Sequence, residues 1–123
     1  MPAPLALTVI IPTLNEAGNV AACVASAAFA GEVIVADGGS TDDTVARARA
    51  TGATVLEGTG PTIAAQRNAA IAAARHPWIL ALDADERVTP ELAAEIARVL
   101  AAPAHAAYRV RRRNFYLGVE QTR

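Results

Sequence analysis

Trp78-Ile79-Leu80-Ala81-Leu82-Asp83-Ala84-Asp85-Glu86 reads as an apolar strand running straight into a cluster of carboxylates. A short run of this kind, apolar on both faces, is the signature of a central strand in a parallel sheet. Open α/β sheets bind ligands just beyond the carboxyl ends of such strands. In extended chain Asp83 and Asp85 project to the same side, with small Ala84 between them. Two hard oxygen ligands there suit Mg²⁺ or Mn²⁺, with water and phosphate completing the shell. A solvated acidic turn is the plainer alternative, and the position after a buried strand favours the ligand site.

The same alternation extends along the chain. Leu7–Ile11 reads as a first strand closed by Pro12, which cannot donate to a ladder. A helix follows from Ala17 to about Phe29, with Gly31 as its stop. Val33–Ala36 is a second strand ending at Asp37. Gly38-Gly39-Ser40-Thr41 then feeds a helix over 42–51, with Ser40 or Thr41 as N-cap and Gly52 beyond its end. Ala53–Leu56 is a third strand, and the Gly58-Thr59-Gly60-Pro61 loop opens a helix over 62–75 that His76-Pro77 terminates. After Trp78–Leu82, Thr89-Pro90 caps and starts a helix to about Ala101, and 106–113 reads as a fifth strand at the sheet edge. Strand and helix in turn predict right-handed βαβ units, hence one α/β domain with a mostly parallel sheet and helices on both faces.

Composition narrows the function. The chain has 123 residues, and much of its 53% hydrophobic content is alanine, so Val, Ile and Leu of the strands must build the core. No apolar run is long enough to span a bilayer, and the N-terminus lacks the charged n-region of a signal peptide, which predicts a cytoplasmic chain. Single Cys23 precludes an intrachain disulfide or a cysteine-rich metal cage, and is expected to pack as a small apolar residue. A net charge of −1 argues against nucleic acid as a partner. All 11 basic residues are arginine. A P-loop or a protein kinase needs a lysine on the phosphates, so both are excluded, as are lysine-dependent pyrophosphorylases and phospho-receiver domains. Arginine, backbone amides or a metal must bind any phosphate here.

Three strand ends carry polar residues: Pro12-Thr13-Leu14-Asn15-Glu16, Asp37-Gly38-Gly39-Ser40-Thr41-Asp42 and Asp83-Ala84-Asp85. In a doubly wound sheet they share one crevice. Asp42 and Asp43 are best read as helix N-terminal charges. Asp37 precedes the turn, where an acid often accepts from a base or ribose.

Together V-I-I-P-T-L-N-E, V-I-V-A-D-G-G-S-T-D, A-A-Q-R-N-A-A and L-A-L-D-A-D-E-R resemble, in order, the motifs of the family-2 glycosyltransferases, from about Leu7 to Gly118. Among these the chain looks most like lipopolysaccharide-core or cell-envelope sugar transferases. The resemblance implies a GT-A-like fold, a nucleoside-diphosphate-sugar donor, a glycan or lipid-linked acceptor, and Mg²⁺ or Mn²⁺. It implies that Pro12, Thr13, Asn15 and Glu16 line the nucleoside pocket, with Asp37 on the base and Gly39 beside it. Arg67 would face the diphosphate, and Asp83, Ala84 and Asp85 form the D-x-D, its two acids the metal ligands. Residues 1–118 would form the donor-binding domain and 119–123 a tail.

Two departures matter. Family members often carry two acids in tandem where this chain has Asp37-Gly38. They also continue into an acceptor-binding half that supplies the general base, and nothing after Gly118 resembles it, so no residue here takes that role. A noncatalytic donor-binding module is therefore the alternative, and completion of the site by a second copy is a further one. Arg111-Arg112-Arg113 with Phe115-Tyr116-Leu117 offers groups that suit the inner face of an anionic membrane, although a ragged edge strand accounts for them as well. Gly58-Thr59-Gly60 lacks a full dinucleotide fingerprint, and His76 and His105 are isolated surface residues.

Overall fold

A computed structural model describes residues 5–102, 107–109 and 116–119, the last two segments as backbone only. The elements are β1 (Leu5–Thr13), α1 (Val20–Ser26), β2 (Ala30–Asp37), α2 (Thr44–Ala50), β3 (Thr54–Leu56), α3 (Ile63–Ala73), β4 (Trp78–Ala81), α4 (Pro90–Ala101), β5 (Ala107–Arg109) and β6 (Tyr116–Val119). They form one sheet in the order β3-β2-β1-β4-β6-β5. The first four strands are mutually parallel, β6 runs antiparallel to β4, and β5 runs antiparallel to β6. The expected α/β architecture is thus observed. All four parallel strands end on one side, with β1 and β4 adjacent at the centre.

Side-chain alternation along β1 divides the core. Leu7, Val9 and Ile11 face a cluster with Val20, Cys23 and Val24 of α1, Ala48 of α2 and Leu92 and Ile96 of α4. Ile10 faces the other side, with Ile34, Ala36, Ile79, Ala81 and Ala70 of α3. Helices therefore cover both faces of the sheet. As anticipated, the strands supply most of the bulky buried groups: Leu7, Ile10, Ile11, Ile34 and Leu80 are all sealed from solvent.

Several boundaries differ from the sequence reading, each for a local reason. β1 passes through Pro12 to Thr13, pairing Pro12 with Ala36 and Thr13 with Asp37. Ile10 O accepts from Leu82 N on the β4 side, and Thr13 O accepts from Gly38 N on the β2 side. Pro12 consequently faces β4, whose pairing with β1 stops at Ala81, so its missing N–H forfeits no ladder bond. Gly31 is no helix stop, since α1 ends at Ser26 and Gly31 lies inside β2. A Cβ there would sit 2.6 Å from Leu5 O and 2.8 Å from Nε2 of half-buried His76. α2 starts after Asp43, and neither Ser40 nor Thr41 caps it.

Thr89 and Pro90 start α4 as expected, the threonine hydroxyl accepting from Leu92 N at 3.1 Å. The strand expected over 106–113 is β5, but β6 was not foreseen and separates it from β4. Arg111-Arg112-Arg113, Phe115 and His105 lie outside the described residues. Among the described residues no helix is long and apolar enough to cross a membrane.

Candidate functional site

At the carboxyl ends of β1 and β4, beside the start of α3, lies a cavity of about 310 Å³. Of the residues anticipated from sequence, Pro12, Thr13, Glu16, Asp83, Ala84 and Asp85 line it. Leu14, Pro61, Ile63 and Gln66 line it too and were not anticipated. A larger cavity of about 510 Å³ opens near the starts of β2 and β3. Alanine, glycine and valine dominate its walls, and its buried acid Glu32 is already bound by Thr8 and Arg75, so it gathers no free chemistry.

At the smaller cavity, the acid-bearing segment after β4 is a turn rather than extended chain. β4 stops at Ala81, and Asp83-Ala84-Asp85-Glu86 folds back so that Glu86 N donates to Asp83 O (2.9 Å) while Glu86 Oε1 accepts from Asp83 N (2.9 Å). The extended geometry expected for the two acids is thus replaced, yet both still meet the cavity. Arg87 fixes this turn from behind. Its Nη1 donates to Ala84 O and Glu86 O, both at 2.8 Å, and its Nη2 to Asn19 Oδ1 at 3.1 Å. Asn19 in turn donates to Glu16 Oε1 at 3.1 Å, linking the turn to the loop after β1.

Arg67 does not line the cavity; its Nη2 donates to Asp83 Oδ1 at 3.1 Å. Its Nε is a buried donor with no partner among the described residues. Asp85 is exposed, and its carboxylate has no hydrogen-bond partner among the described residues. Thus Asp83 keeps one oxygen and Asp85 keeps two for a ligand. Among the described residues no group of three or more His, Cys, Asp or Glu is arranged to hold a metal. Mg²⁺ and Mn²⁺ need no such cage when a diphosphate and water complete the shell, so this pair of hard oxygen donors fits either cation.

The loop after β2 shapes the site without lining it. Asp37 is 2% exposed. Its Oδ1 accepts from Thr13 Oγ1 (2.8 Å) and Ser40 Oγ (2.6 Å), and its Oδ2 accepts from Gly39 N (3.0 Å) and Ser40 N (2.8 Å). Burial pushes its carboxyl up, but these donors outweigh that and hold it below the ordinary carboxylate range. Gly39 serves through its N–H in that turn. Asn15, in left-handed backbone (φ 56°), donates from its N to Ser40 Oγ at 2.7 Å and accepts from Thr41 N at 2.8 Å. Asp42 ties the loops together as well, accepting from Ala17 N at 3.3 Å and from Thr44. Asn15 and Asp37 therefore brace the cavity wall that Thr13 and Glu16 present.

Sequence reasoning missed Gln66, Asn19 and Arg87. Gln66 sits next to Arg67 in the segment A-A-Q-R-N-A-A. Arg87 followed the acids directly, but its partner Asn19 is 68 residues away and only the fold brings them together.

A sequence profile described as glycosyl transferase family 2 matches residues 8–123. An uncharacterized glycosyltransferase of Rickettsia typhi is 32% identical over 121 residues, covering 95% of this chain and 41% of its own length. The succinoglycan biosynthesis protein ExoU of Rhizobium meliloti is 43% identical over 99 residues, covering 72% of this chain and 28% of its own. The chain thus spans well under half the length of these relatives. Its fold matches that of a mannosyltransferase from Pyrobaculum calidifontis solved with GDP-Man and Mn²⁺ (TM-score 0.80, 21% identity, 94% of this chain and 45% of that one). By the extent of the profile match and its agreement with the fold, the chain belongs to glycosyl transferase family 2.

Proposed function

We propose that this chain binds a nucleoside-diphosphate sugar and contributes that donor to sugar transfer onto an acceptor hydroxyl. The observation that carries the reading is the single cavity shared by Glu16 from the loop after β1 and by Asp83 and Asp85 from the turn after β4. The diphosphate belongs beside Asp83 and Asp85, which would hold Mg²⁺ or Mn²⁺. A bound cation would offset the charge gathering on the departing nucleoside diphosphate. Arg67 orients Asp83 and brings a positive charge beside the diphosphate. Glu86 and Arg87 hold the turn so that both acids are set before the ligand arrives, which lowers the cost of ordering them.

We place the acceptor in cell-envelope glycan or lipopolysaccharide synthesis, a reading that the succinoglycan biosynthesis role named for the Rhizobium relative supports. No residue of this chain is assigned as the base for the acceptor hydroxyl. Calorimetry with UDP, GDP and dTDP, each with and without Mn²⁺, tests the reading. We expect Mn²⁺-dependent binding of at least one, weakened about tenfold or more in Asp85→Asn; no binding of any of the three rejects it. Binding without transfer or donor hydrolysis would favour a donor-binding module, whereas turnover abolished by Asp85→Asn would identify an enzyme.

A further inference from the structure

Part of the cavity lining is apolar. Leu14 and Ile63, 46% and 55% exposed, are large hydrophobic side chains left open to solvent, and both line the cavity with Pro12 and Pro61. Apolar walls suit a nucleobase, and the acids, with a divalent cation between, suit its diphosphate. Two buried polar side chains line the cavity: Thr13, whose hydroxyl donates to Asp37, and Gln66, 2% exposed.

The Gln66 amide has a fixed orientation. Gly60 O, which can only accept, lies 3.0 Å from it, so the amide nitrogen must face Gly60. The side-chain oxygen then points away from Gly60. It has no partner among the described residues and is not among the sealed, unpartnered atoms, so it stays open to a ligand. Gly38 makes this arrangement possible. A Cβ at Gly38 would overlap Gln66 Nε2 and sit 2.5 Å from Gly60 O, so the glutamine amide takes the space a side chain at 38 would claim. Asp37 is a poor competitor for the base, since both its oxygens are spent on Thr13, Gly39 and Ser40.

We propose that Gln66 selects the nucleobase: its oxygen accepts a ring N–H, from N3 of uracil or thymine or from N1 of guanine. Cytosine and adenine present a lone pair at the corresponding ring nitrogen, which would face that oxygen and leave it unpaired. UDP-, dTDP- or GDP-sugars are thereby favoured over CDP- and ADP-sugars. The inference rests on the donor-binding function proposed above.

The test is titration of the whole chain with UDP, GDP, CDP, ADP and inorganic pyrophosphate in Mn²⁺, then with the preferred nucleotide methylated at its ring N–H. The wild-type chain should prefer UDP or GDP to CDP and ADP by about tenfold or more, and methylation should remove that preference. In Gln66→Leu the ratio should fall to within about twofold while pyrophosphate binds as before. Retention of the wild-type preference by Gln66→Leu, or equal binding of all four nucleotides by the wild type, overturns the proposal while the donor-binding reading survives. Should Gln66→Leu fail to fold, the methylated nucleotide decides on the wild type alone, and an unchanged affinity overturns the proposal. Binding of neither pyrophosphate nor any nucleotide rejects the donor-binding reading and this inference with it.

Discussion

Asp37 turns its charge into the protein, and the consequences are thermodynamic. Its four donors hold the carboxyl below its ordinary range. Glu32 is held low as well: burial raises it, but Arg75 and Thr8 together more than offset that. A carboxyl whose pKa is depressed on folding stabilises the fold above its unfolded value and loses that contribution as pH falls through the folded one. The urea midpoint should therefore decline below about pH 4. Asp37→Asn should lower the midpoint at pH 7 and flatten the acid slope; an unchanged slope would mean the side chain is not paired as described. Gly38 gives a second prediction at this scale. Gly38→Ala forces a methyl against Gln66 and Gly60 O, at a cost of about 1–3 kcal/mol by urea unfolding.

Among the elements, α3 is the one whose attachment governs the site, since Gln66 and Arg67 both stand on it. Its far end is tied to β2 through Glu32, which accepts from Arg75 N (2.9 Å), Arg75 Nε (3.0 Å) and Thr8 Oγ1 (2.8 Å). The Arg75 side chain is 78% exposed and that of Glu32 only 6%. Water screens the ion pair from the arginine side, so Arg75→Ala should cost only about 0.5 kcal/mol. Glu32→Ala instead strands the Thr8 hydroxyl and the Arg75 N–H, and should cost about 2 kcal/mol. Equal losses in the two variants would show that the charge pair, rather than the buried acceptor, secures α3.

Across the whole molecule, legibility followed the range of the interactions involved. Strand and helix alternation is local, so a mostly parallel sheet covered on both faces could be read directly. Thr89-Pro90 also worked, because a cap acts within one turn. Pro12 misled because the cost of its missing N–H depends on where β4 ends, which no local pattern encodes. β6 escaped notice because its pairing with β4 is long-range. Within the site, the acids could be anticipated from their place after a buried strand. That Asp37 faces inward, Arg67 holds Asp83 and Arg87 reaches Asn19 could not, since each depends on segments brought together only by folding.

Cys23 adds a consequence for experiment. It is buried in α1 and donates its thiol to Asp83 O at 3.5 Å. Burial pushes the thiol up to about 12; Arg87 opposes this, and Glu86, Asp83 and Asp85 add to it. In the native state the sulfur should be almost inert to alkylating reagents, because it is rarely a thiolate. It is also the chain's one cysteine. Reaction with iodoacetamide should follow the opening of α1 from the acid-bearing turn, and Mn²⁺ with a nucleotide in the cavity should slow it. A native sulfur that reacts as fast as the urea-unfolded one would contradict this seating; otherwise the chain carries a chemical clock for how often its own binding site comes apart.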